Sequence, residues 1–356
     1  MSFRPNKKAL PAIAVVLFAL AIPAFSADAR PADRTDTLTM TLIGDVMMHS
    51  AQLSDDHHCF LKHIAPLLRS ADIAVANMEF SLGGKPYSGY PAFSAPDYMA
   101  SYVCGECGVD VALLANNHIL DRGRKGLERT LGVYRAMSDS LLFTGAAADS
   151  LEMDGTFPLV LWAKGMTVAL VNFTYGTNGI SVKGWPNVCY MDEDKVRGAF
   201  ARAKDCGADF IVALPHWGEE YQLRHSAKQS QWAEKMVGWG ASAIVGSHPH
   251  VVQDTTHIAG VPVIYSMGNA VSHMSAVNTR LALAVTLRFC RNAGGPYMLE
   301  PELRFIWCTL PGNLEPSHST IFVDEWEGRR DAWKNPGDYD NMATTLARVK
   351  KATGIE

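Results

Sequence analysis

Several things are scarce in this 356-residue chain, and each scarcity closes a possibility. Positive charge is not in excess: 32 Lys and Arg stand against 36 Asp and Glu, a net −4. That excludes the basic footprint of a nucleic-acid binder. The apolar run Ala12–Ile22 is shorter than the roughly 20 residues of a spanning helix. No internal repeat or low-complexity tract occurs, so a solenoid is excluded. There is one Cys-x-x-Cys, Cys104-Gly-Glu-Cys107, and no second to complete a four-thiolate zinc site. It precedes the strand expected at Val109 instead of opening a helix as a redox motif should, so a structural disulfide or reduced thiols is the better reading. The seven cysteines are odd in number, which leaves at least one free thiol.

What is present begins at the amino end. Arg4, Lys7 and Lys8 precede the apolar run, and Pro-Ala-Phe-Ser-Ala-Asp-Ala follows it. This is the pattern of a secretory signal peptide with cleavage after Ser26 or Ala29. With no Cys near that point, a lipoprotein anchor is not expected. We expect a leader over 1–29, a polar linker over 30–36, one domain over 37–310 and an extension over 311–356. The expected location is the periplasm or cell surface, with no stable transmembrane anchor once the leader is removed.

Short runs rich in Val, Ile and Leu recur along the domain, the mark of strands buried on both faces. They are expected at Thr37–Asp45, Ala71–Ala76, Val109–Ala115, Phe210–Leu214, Ser242–Val245 and Pro262–Tyr265. Helical spacing fills His58–Arg69, Gly126–Met137, Glu193–Lys204 and Ala227–Trp239. A hairpin is expected around Lys164-Gly165, and further strands over Leu281–Trp307. Alternation of strands and helices makes the fold class α/β.

Nearly every expected strand ends on a group able to bind a metal: Asp45, Asn77 and Glu79, Asn117 and His118, His216, then His248 and His250. Ligands of open α/β sheets gather beyond the carboxyl ends of strands. Asp45 follows a Gly, a common turn in isolation, and His49 either joins it, supports a ligand from behind, or is a surface histidine. Glu79 can bridge two cations with its two oxygens, or else starts a helix. Asn117 offers a neutral oxygen, which leaves His118 free to donate a proton. Asp121 orients a neighbour or caps the next helix. Glu219 and Glu220 are a solvated pair unless one meets a cationic substrate. His248-Pro249-His250 is expected to be extended, with its imidazoles on opposite sides, because a proline keeps its predecessor out of the helical region. His57, His58, His63, His225, His257, His273 and His318 lack comparable settings and are taken as surface or satisfied residues.

Gly-Asp-Val-Met-Met-His (44–49), Ala-Asn-Met-Glu (76–79), Ala-Asn-Asn-His-Ile-Leu-Asp-Arg-Gly (115–123), His-Trp-Gly-Glu-Glu-Tyr (216–221), Gly-Ser-His-Pro-His-Val-Val-Gln (246–253) and Tyr-Ser-Met-Gly-Asn (265–269) together resemble the CapA family of poly-gamma-glutamate capsule-biosynthesis proteins. The resemblance spans residues 38–275. It implies a metallophosphoesterase-like four-layer α-β-β-α sandwich, two mixed sheets flanked by helices, with two metals at the strand ends. Carried across, Asp45, Glu79 and His250 hold one metal, with His49 as a further candidate. Glu79, Asn117, His216 and His248 hold the other, and His118 contacts phosphate or donates a proton. Relative to the phosphoesterase pattern, Asp-x-His is stretched to Asp-x-x-x-His, and the bridging motif is replaced by Asn-Met-Glu. Asn269 ranks lower as a further residue of the mouth.

The donor set suits Mn, Fe or Zn better than Ca or Mg, and a two-metal site activates water for hydrolysis. The implied substrate is an anionic polymer or a small phosphoester or peptide-like molecule, and the implied partner is the capsule synthesis machinery. Two other readings compete. One is a non-catalytic accessory or polymer-binding protein with a structural metal site. The other is a mononuclear zinc hydrolase on a (β/α)₈ barrel, which requires an early His-x-His where this chain has a late one.

Overall fold

The computed structural model describes residues 14–15, 36–138 and 141–356. The expected leader and linker therefore lie outside the described residues, apart from Ala14–Val15, which pair with an edge strand, and Asp36. Strands β1 (Asp36–Val46), β2 (Ile73–Met78), β3 (Val111–Leu113) and β4 (Leu142–Thr144) run parallel in one sheet. A second sheet follows: β5 (Leu159–Ala163), β6 (Met166–Thr174), β7 (Phe210–His216), β8 (Ala243–Val245), β9 (Thr255–Ile258) and β10 (Val261–Ile264). Its spatial order is β5-β6-β7-β8-β10-β9, parallel through the centre and antiparallel at both edges. The chain then returns to the first sheet with β11 (Asn269–Val271), β12 (Leu281–Asn292), β13 (Gly295–Met298), β14 (Glu302–Thr309) and β15 (Ser319–Phe322). That sheet is ordered β15-β14-β12-β1-β2-β3-β4, with β11 beside β1 and β13 beside β12.

The helices are α1 (Ala65–Ser70), α2 (Gly123–Ala136), α3 (Ser150–Thr156), α4 (Glu193–Asp205), α5 (Ala227–Trp239) and α6 (Pro336–Thr353). Alternation along the strands sorts the apolar side chains into two cores. Leu38, Met40 and Leu42 of β1 meet Val168 and Leu170 of β6 and Val212 and Leu214 of β7 between the sheets. The intervening residues, Ala74 and Ala76 among them, face Leu127 and Leu131 of α2, while Val196 and Phe200 of α4 cover Ala169 and Val171. Two mixed sheets face to face with helices outside make the expected four-layer sandwich. Each fully buried Leu, Val or Phe contributes about 1.5–3 kcal/mol to it.

The expected helix over His58–Arg69 is corrected. His57–Cys59 is a 3-10 turn and the α-helix begins only at Ala65. Pro66 explains the shift: it lacks the N–H an interior position needs, so it sits in the first turn. The Lys164-Gly165 hairpin forms as read, both residues having positive φ (49° and 74°). All seven cysteines are free thiols. Residues beyond 310 supply β15 and α6, whose Met342 and Val349 share a core with Trp307. Arg280 holds α6 by a bidentate, buried pair with Asp338 (2.6 and 2.7 Å) and stacks over Trp307.

The amino ends of the strands carry a regular polar device. Thr39 N–H donates to Asp72 Oδ2, Ala74 N–H to Asp110 Oδ2 and Thr167 N–H to Asp209 Oδ2, each at 2.8 Å. Ser242 accepts from Ile211 N–H in the same way at 3.1 Å. Each side chain pins its strand to the neighbouring one, fixing register. Among the described residues, no helix is long and apolar enough to cross a membrane.

Candidate metal centre

At the carboxyl ends the polar groups converge with few backbone partners of that kind. Asp45 and Glu79 come from the ends of β1 and β2, His216 from the end of β7, and His248 and His250 from the loop after β8. Close backbone approach makes this possible. A Cβ on Gly44 would lie 1.9 Å from Gly268 O, and one on Gly246 would lie 2.2 Å from Tyr265 O. Only glycine can precede Asp45 and open the His-Pro-His loop.

Two groups of donor atoms, each within 4.8 Å, form here: Asp45, Glu79 and His216, then Glu79, His248 and His250. Glu79 belongs to both. His250 Nδ1 lies 3.3 Å from Asp45 Oδ2 and 3.9 Å from Glu79 Oε2. His216 Nε2 lies 3.6 Å from Glu79 Oε1 and 2.7 Å from Asn117 Oδ1. All five are buried. Neither Glu79 oxygen has a hydrogen-bond partner, nor has His248 Nδ1. A buried orphan of this kind costs about 1–3 kcal/mol, more if charged. A cation satisfies it, so the residues fit the implied metals: anionic oxygens, a neutral amide oxygen and imidazoles.

The electrostatics agree. Burial, reinforced by the Asp45 charge, holds the Glu79 pKa well above the carboxylate range. Burial and neighbouring imidazoles hold His216 and His248 well below 6.5, in the neutral form that ligates metal. Burial also opposes protonation of His250, yet the hydrogen bond and charge of Asp45 raise its pKa overall.

Supporting amides hold the donors. Asn77 Nδ2 donates to Asp45 Oδ1 at 2.7 Å and faces His216 Nδ1 at 3.2 Å. Asn116 Nδ2 donates to Met78 O (2.9 Å), next to Glu79. Ser247 Oγ meets His216 Nδ1 at 3.0 Å, and Asn269 Oδ1 meets His250 Nδ1 at 2.9 Å. Such partners orient a ligating ring. His118 Nδ1 donates to Asp121 Oδ2 at 2.7 Å, which leaves Nε2 as the exchangeable position, and Phe93 packs edge-on at 4.6 Å.

The His-Pro-His loop differs from expectation. His248 and His250 have positive φ (101° and 60°) and are not extended, so their rings, 5.8 Å apart, both enter the site. The strain is held by the bonds around them: His248 N–H to Asp45 Oδ2, and His250 to Asn269. His49 lies in neither donor group. Its Nδ1 faces Gln52 Oε1 and His273 N–H, and burial lowers its pKa to about 4. A third group, Asp56, His57 and His58, is partly exposed. Its members are already engaged: Asp56 accepts from His58 N–H, and His58 bonds Glu106.

Sequence reasoning missed Asn116, Ser247 and Tyr175. The first two stand within motifs already singled out, in Asn-Asn-His and Gly-Ser-His. Tyr175, whose ring lies 4.4 Å from His248, follows β6, a long central strand whose end carried no histidine or carboxylate.

Residues 39–274 match the family described as bacterial capsule synthesis protein PGA_cap. The capsule biosynthesis protein CapA of Bacillus anthracis is 30% identical over 288 residues, 76% of this chain and 69% of its own. The PGA biosynthesis protein CapA of Bacillus subtilis is 26% identical over 280 residues, 75% of this chain and 71% of its own. Among solved structures, a hypothetical protein of Thermus thermophilus is 18% identical with a TM-score of 0.47, over 75% of this chain and 98% of that one. The 5'-nucleotidase precursor of the same organism is 15% identical with a TM-score of 0.47, over 88% and 58% of the two chains.

Proposed function

Because the chain belongs to this bacterial capsule synthesis protein family, we propose that it is an extracytoplasmic hydrolase of phosphoester or amide bonds with two divalent metal ions. The observation that carries the reading is Glu79, buried with both oxygens unpartnered between two groups of donors. Asp45, Glu79, Asn117, His216, His248 and His250 would together hold the two ions. Ions of the Mn, Fe or Zn type supply Lewis acidity, activating water and drawing off developing charge.

The protein's own residues do the rest. Asp121 keeps the His118 proton on Nδ1 in the neutral ring, so Nε2 takes up and gives the mobile proton. Phe93 packs against that ring and limits its rotation. His118 is therefore the residue assigned to protonate the leaving group. Asn77, Ser247 and Asn269 hold the ligating rings in place.

Metal analysis of the purified chain tests the centre: about two ions per chain are expected, and none after His216→Ala with His250→Ala. Unchanged metal content in the double variant would sink the binuclear reading. Turnover is tested by offering the loaded protein phosphodiesters and gamma-glutamyl peptides. Loss of about 10²–10⁴-fold in rate for His118→Asn is expected from its proton-transfer role. Two bound ions without turnover on either substrate class would instead favour an accessory protein. Finding the chain in the cytoplasmic fraction after expression would overturn the assigned location.

A further inference from the structure

Beside the centre lies a cavity of about 420 Å³, walled by Tyr175, Trp217, Glu219, Glu220, Lys228 and His248. Its size falls within the ordinary range for a small-molecule pocket. Much of its polar lining is already spoken for. Trp217 Nε1 donates to Tyr265 O at 3.0 Å, so the indole offers only its ring. The Gln229 amide is engaged by Ser226 N–H and Gln253. What remains is two exposed carboxylates, of which Glu220 also meets the Tyr221 hydroxyl, one lysine, the face of Tyr175 and the unpartnered Nδ1 of buried His248.

Among the described residues, neither glutamate is in an ion pair, and Lys228 does not come within salt-bridge distance of either. Two negative charges against one positive leave the cavity net negative. Glu220 lines this cavity together with Tyr175 and His248 and is itself exposed. A carboxylate pair beside an aromatic face attracts a cation and disfavours a polyanion.

We propose that this cavity seats a positively charged amino group of the substrate, a primary ammonium or a quaternary amine. Its placement relative to the reacting bond rests on the hydrolase reading, whereas cation binding by the cavity does not. The substrate is then zwitterionic: an ester or amide at the metal centre and a cation against Glu219, Glu220 and Tyr175. An extended polyglutamate strand threaded through this side would meet repulsion.

Calorimetry on the full-length, metal-loaded chain tests the idea with phosphoethanolamine, ethyl phosphate and ethylammonium, metal content being measured alongside. Phosphoethanolamine should bind about tenfold more tightly than ethyl phosphate. That preference should vanish in Glu219→Gln with Glu220→Gln and grow in Lys228→Gln. Equal affinity of the two phosphates for the wild-type chain, or an undiminished preference in the double glutamine variant, overturns the proposal. If neither phosphate binds, ethylammonium decides. Binding that the double variant loses upholds the cavity and overturns the phosphoester reading, and absence of ethylammonium binding overturns the cavity as well.

Discussion

The two ends of the parallel strands use carboxylates in opposite ways. At the amino ends, Asp72, Asp110 and Asp209 each accept a backbone N–H from the next strand. At the carboxyl ends, Asp45 accepts from the Asn77 amide and, at a longer 3.3 Å, from His248 N–H in a loop instead of a strand, and Glu79 accepts from nothing. Burial alone does not separate structural from functional acids here. The discriminating quantity is how many lone pairs the fold itself satisfies. Where the backbone fills them, the acid is a register pin, and where it does not, the acid waits for a partner from outside.

Variants at the two ends should therefore fail differently. The largest effect is expected for Glu79→Gln. The wild-type chain should gain about 2.7 kcal/mol at an ion concentration 100 times Kd, and the variant should gain almost none. Without ions, at neutral pH, the same variant should melt higher than wild type, because it removes a buried, unpaired carboxyl. A metal-dependent rise in melting temperature that survives the substitution would erase the contrast. Next comes Asp72→Ala, which strips partners from Thr39 N–H, Thr39 Oγ1 and Lys164. A loss of about 1–3 kcal/mol in urea unfolding is expected, with metal content untouched.

Asp110 sharpens the comparison with the smallest effect. It has one backbone partner, and burial pushes its pKa up to about 6 from an ordinary 3.8. A carboxyl whose folded pKa is raised stabilises fully below its unfolded pKa and loses that contribution as pH rises through the folded one. Asp110→Asn keeps the acceptor and removes the titration. Stability should then fall less between pH 4 and 6.5 than in wild type, by about 1–2 kcal/mol. Parallel curves for the two proteins would place Asp110 with the fully satisfied acids.

Much of the carboxyl-end chemistry was legible because apolar strand cores end on conspicuous residues. Asp45, Glu79, Asn117, His216, His248 and His250 all reach the site, and His118 meets Asp121. The amino-end device was equally visible, though unread: Ala-Asp, Val-Asp, Ala-Asp and Ala-Ser stand directly before β2, β3, β7 and β8. Local rules failed where tertiary bonds override them. Pro249 favours an extended predecessor, yet His248 takes a positive φ while its N–H bonds Asp45, 203 residues earlier. Periodicity over His58–Arg69 read as a helix because it does not register what Pro66 forbids.

The donors are divided between the layers. Asp45, Glu79 and Asn117 follow strands of one sheet, while His216, His248 and His250 follow strands of the other. Neither half of the chain can assemble the site alone, so loading must come after the sheets have docked. Amide exchange with and without ions should show protection gained at this seam and little within either sheet. A bound ion would then act as a late staple between two preassembled halves, and the metal available where folding finishes would be the one captured.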